Sequence, residues 1–236
     1  MADENRALTL VKWVSNQAIN GVRPLSSAHD LADEYLLDDG YQSNHSRVEA
    51  LINGGTGKNF TSGFLTGLGG LLVLPIALPA AFAASWVIQA RMAAAIARIY
   101  GHDIHSDRVR TFIMVSLVGD SIKDVVKASG IAITRGFGKS LLEKIPGRVL
   151  IDINKRVGFR LLTKAGEKGA VNLVKGIPFF GGLIGGTFDA AACRIVGHNA
   201  RKLFSRPAKR KKRGPKTSAS PKKVNRRARS RNARSN

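Results

Sequence analysis

The stretch GFLTGLGGLLVLPIALPAAFAASWVIQA, residues 63–90, carries no charged side chain. Either it lies against a bilayer or it forms the centre of a helical core, and the choice governs the fold. The uncharged run extends back to Asn59 and is 32 residues long, whereas a spanning helix needs about 20 apolar residues. Pro75 and Pro79 interrupt it, because each removes a helix donor and restricts the residue before it. The arms left are about 15 and 10 residues, each too short to cross a hydrocarbon layer about 30 Å thick. The pattern predicts one helix from Asn59 to Val73, a break, and a second from Pro79 to Tyr100, closed by Gly101. A re-entrant hairpin or an interfacial segment fits these lengths better than a span.

A second apolar run, Ile177 to Cys193, is glycine-rich and interrupted only by Asp189. Gly63 with Gly67, Gly181 with Gly185 and Gly182 with Gly186 are spaced as GxxxG, which lets helix backbones approach closely. The same spacing serves packing in a water-soluble helical core. Each glycine costs a helix about 1 kcal/mol relative to alanine in water, so six of them require compensating tertiary or lipid contacts.

Around these runs the periodicity is helical throughout. Leu8, Val11, Val14 and Ala18 share one face of a first helix that Gly21 and Pro24 end. Ser27 and Asp30 have the spacing of a capping box for a second, and SRVEALINGG forms a third that stops at Gly54 and Gly55. Asp107 is placed to cap a helix running to Val126, and helices are expected over Ile131–Ile145, Arg148–Ala165 and Pro178–Phe204. No run alternates with period two, so the expected class is all-α: a helical bundle with a glycine-rich apolar hairpin and a disordered basic tail. The division expected is an acidic helical lead-in at 1–58, an apolar and basic helical domain at 59–204, and the tail at 205–236.

Composition narrows the function classes. A 236-residue chain that is 44% hydrophobic builds a substantial core. The lone cysteine, Cys193, excludes an intramolecular disulfide. MADENRALTL is polar and mixed in charge rather than basic and then apolar, which predicts no secretory signal and a cytoplasmic location, or a membrane reached from that side. The net charge of +22 is uneven: residues 205–236 hold 14 bases and no acid, leaving 22 − 14 = +8 for the rest. Residues 1–58 hold 8 acids against 5 bases, so the region between is clearly basic.

Several segments resemble one family: LADEYL at 31–36, SGFLTGLGGLLVLPIALPA at 62–80 followed by SWVIQARMAAAIARIYGHD at 85–103, RVRTFIMVSLVGD at 108–120 and KGIPFFGGLIGGTFDAAACRIVGHNARKLF at 175–204. Together they look like the EcsC protein family over about residues 28–204, most specifically from Gly63 to Asp103. The resemblance implies an α-helical, bacterial, membrane-associated domain without an established catalytic motif. The last segment is also similar to the domain that follows some bacterial membrane-associated GTPase domains. The tail lies outside the family pattern.

Candidate chemistry is sparse. GGTGKNF at 54–60 departs from a phosphate loop, with Ile52 where a glycine is needed and Asn59 where Ser or Thr is needed. GHDIHSD groups His102, Asp103, His105 and Asp107, but no second cluster supplies further ligands, so a polar interhelical turn explains it and no metal or cofactor is expected. Asp189 in an apolar helix needs a partner, and Arg91 and Arg194 are the candidates for a buried ion pair. In the tail, Lys209, Arg210, Lys211, Lys212, Arg213, Lys222, Lys223, Arg226 and Arg227 attract polyanions, either anionic lipid or nucleic acid. No aromatics interleave these bases, which disfavours stacking on single strands. The expectation is a non-enzymatic protein at the cytoplasmic face of the inner membrane, peripheral or partly embedded. The alternatives are a soluble helical protein binding DNA or RNA through the tail, and an enzyme with an unrecognised site.

Overall fold

The computed structural model describes residues 2–23, 25–57, 80–119, 122–130, 145–174 and 178–205. Its helices are α1 (Ala2–Asn20), α2 (Ala28–Leu36), α3 (Asn44–Gly57), α4 (Ala80–Ile99), α5 (Asp107–Ser116), α6 (Ile122–Ala128), α7 (Gly147–Val174) and α8 (Pro178–Phe204). Among the described residues there is no strand beyond one isolated bridge between Val22 and Leu25, so the fold is mostly helical, as the periodicity predicts. Pro75, Pro79, Gly63 and Gly67, the expected helix over Asn59–Val73, most of that over Ile131–Ile145, and the tail lie outside the described residues.

Local signals set several helix ends. Gly21, at φ +82°, closes α1 by donating its N–H to Gln17 O at 3.0 Å, an arrangement that favours a residue without Cβ. The box at α2 is reciprocal: Asp30 N donates to Ser27 Oγ at 3.1 Å and Ser27 N donates to Asp30 Oδ2 at 3.0 Å. At the end of α4, Gly101 (φ +81°) donates to Arg98 O at 2.8 Å and His102 N to Ala97 O at 3.0 Å, a Schellman closure. Asn44 Nδ2 takes the Ile99 carbonyl at 2.8 Å.

Three expectations are corrected. Gly54 and Gly55 do not stop α3, which runs to Gly57; Gly54 is instead a close approach, since a Cβ there would lie 3.0 Å from the Tyr35 hydroxyl. Ser106 rather than Asp107 caps α5, its Oγ accepting from Val109 N at 3.4 Å. Nor does that helix reach Val126: it ends at Ser116, Gly119 turns at φ +66°, and α6 begins afresh at Ile122.

The core is organised around α4. Every residue from Ala83 to Ala97 on this helix is buried, with α1, α2, α3, α5 and α8 packed against it. A helix apolar all round calls for such enclosure. Its small residues, Ala83, Ala84, Ala90, Ala93, Ala94, Ala95 and Ala97, let the neighbours come close. Thus the Ala83–Ala90 portion of the uncharged stretch belongs to the core. Helices α1 to α3, from the acidic amino-terminal region, contribute Leu10, Val14, Leu31, Val48 and Ile52 to the same cluster. Among the described residues no helix is long and apolar enough to cross a membrane.

Two helix crossings depend on glycines outside the GxxxG sets. A Cβ on Gly158 of α7 would lie 2.4 Å from the Ala7 carbonyl oxygen of α1, and one on Gly197 of α8 would lie 2.7 Å from Ile52 Cγ1 of α3. Because the Ala7 obstacle is backbone, G158A must part α1 from α7. Overpacking at about 1–3 kcal/mol outweighs the roughly 1 kcal/mol gained in helix propensity, so urea denaturation should show a net loss. Gly166 of the same helix has open space around it, and G166A should gain up to about 1 kcal/mol.

The capping box makes a second prediction. The Asp30 carboxyl is held below its ordinary 3.8 chiefly by its hydrogen bonds from the Ser27 side chain and backbone. A folded value below the unfolded one stabilises the fold above the unfolded value, and that contribution is lost as pH falls through the folded value. The difference in urea midpoint between wild type and D30N should therefore shrink between about pH 6 and about pH 3.

Candidate functional site

Helix α7 carries Arg148, Lys155, Arg156, Arg160 and Lys164 along one element. The inner face of this helix buries Leu150, Ile153, Val157, Leu161 and Ala165, a 3–4 residue spacing that seats it against α1 and α5. On the outer face Arg148, Arg156, Phe159, Arg160 and Thr163 are exposed. Ile151, at 53% exposure, and Phe159, at 39%, are large apolar side chains in contact with solvent. Arg156 Nε donates to Asp152 Oδ2 at 2.9 Å and Lys155 Nζ meets Glu4 Oε2 at 3.2 Å. The Arg156 hydrogen bond is the largest cause holding the Asp152 carboxyl below its ordinary value. Arg148 and Arg160 have no carboxylate partner among the described residues.

At the end of this face, Lys164 Nζ donates to the Val118 carbonyl at 3.3 Å. The turn at Gly119 brings Lys164 and Ile195 of α8, itself 45% exposed, to either side of one point. Chemically, the surface offers guanidinium groups for anions and isolated apolar side chains for shallow insertion.

The expected ion pair is placed only in part. Arg91 is buried on α4, and its guanidinium reaches the edge of the core, donating from Nε to the Ser26 carbonyl and from Nη2 to Ser26 Oγ. Burial lowers its pKa, and the nearby Glu34 and Asp30 carboxylates raise it again. Arg194 is exposed on α8, with Nη2 3.4 Å from Asn53 Oδ1. Asp189, Gly181, Gly182, Gly185 and Gly186 all fall within α8, but the surroundings of their side chains lie outside the described residues. Lower on the same helix, Cys193 Sγ is 3.9 Å from Met92 Sδ, so α8 packs directly on α4. The tail bases from Lys209 to Arg227 are likewise outside the described residues.

GHDIHSD forms an interhelical turn. His102 points inward, its Nε2 2.8 Å from the Phe204 carbonyl oxygen and its ring against that of Phe204. Asp103 Oδ1 accepts from His105 N at 2.9 Å, and the Asp103 carbonyl accepts from Ser106 Oγ at 3.0 Å. The turn therefore separates its two histidines. His105 instead meets His29 of α2, with 3.3 Å between the two Nε2 atoms. That neighbour is 76 residues away in sequence, and no local pattern announces it. Among the described residues no group of three or more His, Cys, Asp or Glu side chains converges as a metal cage.

The exposed pair Ile151 and Phe159 also escaped the sequence reading. Their i, i+8 spacing is an available signal, but it cannot be distinguished from a core stripe before the inner face is known.

Because Arg91 reaches Ser26 with two donors, R91M and S26A should each destabilise the chain, R91M by about 1–3 kcal/mol, as for loss of charge-assisted hydrogen bonds. Their effects should be non-additive by at least about 0.5 kcal/mol in a double-mutant cycle read by urea denaturation. No family model matches the chain, and no curated protein and no solved structure shows significant similarity to it.

Proposed function

We propose that this chain is a non-enzymatic, EcsC-like helical protein held at the cytoplasmic face of a bacterial membrane by apolar glycine-rich segments and a polybasic tail. The observation that carries the reading is the outer face of α7, where Ile151 and Phe159 stand exposed among Arg148, Arg156 and Arg160. Basic side chains beside solitary apolar ones are the composition of a surface that settles among anionic headgroups, its apolar groups dipping toward the acyl boundary. Each base near such a surface contributes about 1 kcal/mol. The uncharged segment from Asn59 to Pro79 and the Lys209–Arg227 cluster add an apolar contact and a cationic one. The resemblance of residues 28–204 to the EcsC family supports the same location.

The tail alone would also bind DNA or RNA through counterion release. Flotation of the full chain with anionic and with neutral vesicles, after nuclease treatment, separates the readings. Membrane attachment predicts co-flotation with anionic vesicles that persists, more weakly, after deletion of residues 206–236. The double substitution R148Q/R160Q in that shortened chain should weaken vesicle binding roughly tenfold or more, from about 1 kcal/mol per base. Circular dichroism checks that the helices are retained. A shortened, folded chain that ignores vesicles of every composition, while the full chain is released by nuclease, would replace this reading with nucleic-acid binding.

A further inference from the structure

We infer that His29 and His105 form a two-histidine site for a divalent transition-metal cation, with zinc as the natural probe. The inference is independent of membrane attachment, since neither residue lies on α7 or in the tail. The two Nε2 atoms are 3.3 Å apart, the ring centroids 5.4 Å apart and the ring planes inclined by 26°. A zinc ion about 2.0–2.1 Å from each nitrogen would subtend an N–Zn–N angle of about 104–111° at that 3.3 Å separation. This range brackets the tetrahedral angle. Two neutral imidazoles in this position otherwise satisfy each other only when one presents N–H and the other a lone pair.

The pair is prepared by the backbone on both sides. His29 lies in the first turn of α2, inside the Ser27–Asp30 capping box. His105 is fixed by its own N–H to Asp103 Oδ1 at 2.9 Å, in the turn that follows the Schellman closure of α4. Arg98 Nη2 meets Asp33 Oδ1 at 2.8 Å and ties α2 to α4. Both imidazoles reach solvent, so an ion can enter without rearrangement of the core. Asp30 and Asp103 are the acidic groups adjoining the two histidines, and their charge favours a cation over the empty pair. With two protein ligands, the remaining coordination positions fall to water. The site is therefore an exchangeable one that bridges α2 to the α4–α5 turn, and it binds neutral imidazole in competition with protons.

The test is calorimetric titration of zinc into the full, metal-free chain, with cobalt absorption reporting nitrogen ligation. One saturable zinc site is expected. H29Q and H105Q should each weaken it by at least the roughly 10- to 100-fold that loss of an outer-shell partner causes. H45Q should leave it unchanged, since His45 sits apart beside Glu49. Zinc should also raise the thermal midpoint of the wild type but not of H29Q, because a ligand of the folded state alone stabilises it. Helicity measured on each variant shows that the exposed substitutions leave the fold in place. Absence of saturable binding, an affinity in H29Q or H105Q equal to that of the wild type, or loss of the site in H45Q would each overturn the assignment.

Discussion

Close approach to one buried helix is the constraint on which the rest of this structure depends. Helix α4 presents alanine on several sides at once, at Ala83, Ala84, Ala90, Ala93, Ala94, Ala95 and Ala97. Small side chains bring neighbouring backbones near, so dispersion contacts accumulate over a large area although each side chain contributes little. Where polar side chains enter this helix their polar ends must be satisfied. Arg91 reaches Ser26, and Gln89 Nε2 donates to Ser85 Oγ at 3.0 Å within the helix. A buried guanidinium without such acceptors would cost more than its aliphatic stem returns.

The same economy of volume recurs at the periphery. Gly158 lets α7 rest on the Ala7 backbone, and Gly197 lets α8 accept Ile52. Once α7 is pressed against α1 and α5 on its apolar side, its remaining surface is fixed as the outer one. Arg148, Phe159 and Arg160 then face solvent as a consequence of packing. Function and stability are linked through that helix: the crossing that anchors it also aims the basic and apolar side chains on which membrane attachment is proposed to rest. Elsewhere, the cap of α2 and the closure of α4 lie beside the residues of the histidine pair, whose Nε2 atoms are 3.3 Å apart.

Sequence signal and structure agree where a single local interaction decides the outcome. Ser27 and Asp30 are three residues apart and bond each other in any helix that begins there, so the capping box was visible in the letters. Gly21 and Gly101 stand at left-handed positions that few other residues adopt. Local signals misled where one residue type answers two needs. Gly54 reads as a helix stop, yet α3 continues through it, and a Cβ there would lie 3.0 Å from the Tyr35 hydroxyl. Ser106 and Asp107 are adjacent capping residues, and only the entry angle of the chain selects the serine.

By itself, the amino-acid sequence determined the helical class, the limits of several helices, the uneven distribution of charge and the need for an enclosed or lipid-facing place for the uncharged run. Those properties follow from period, composition and capping, which act over a few residues. Tertiary structure alone decided that Ala83–Ala90 lies inside five surrounding helices, that Arg91 is held by Ser26, and that His29 meets His105. Each of these joins residues distant in the chain. Their proximity comes from how helices of given volume fit around α4, and shape complementarity between faces leaves no mark on the local pattern of either one.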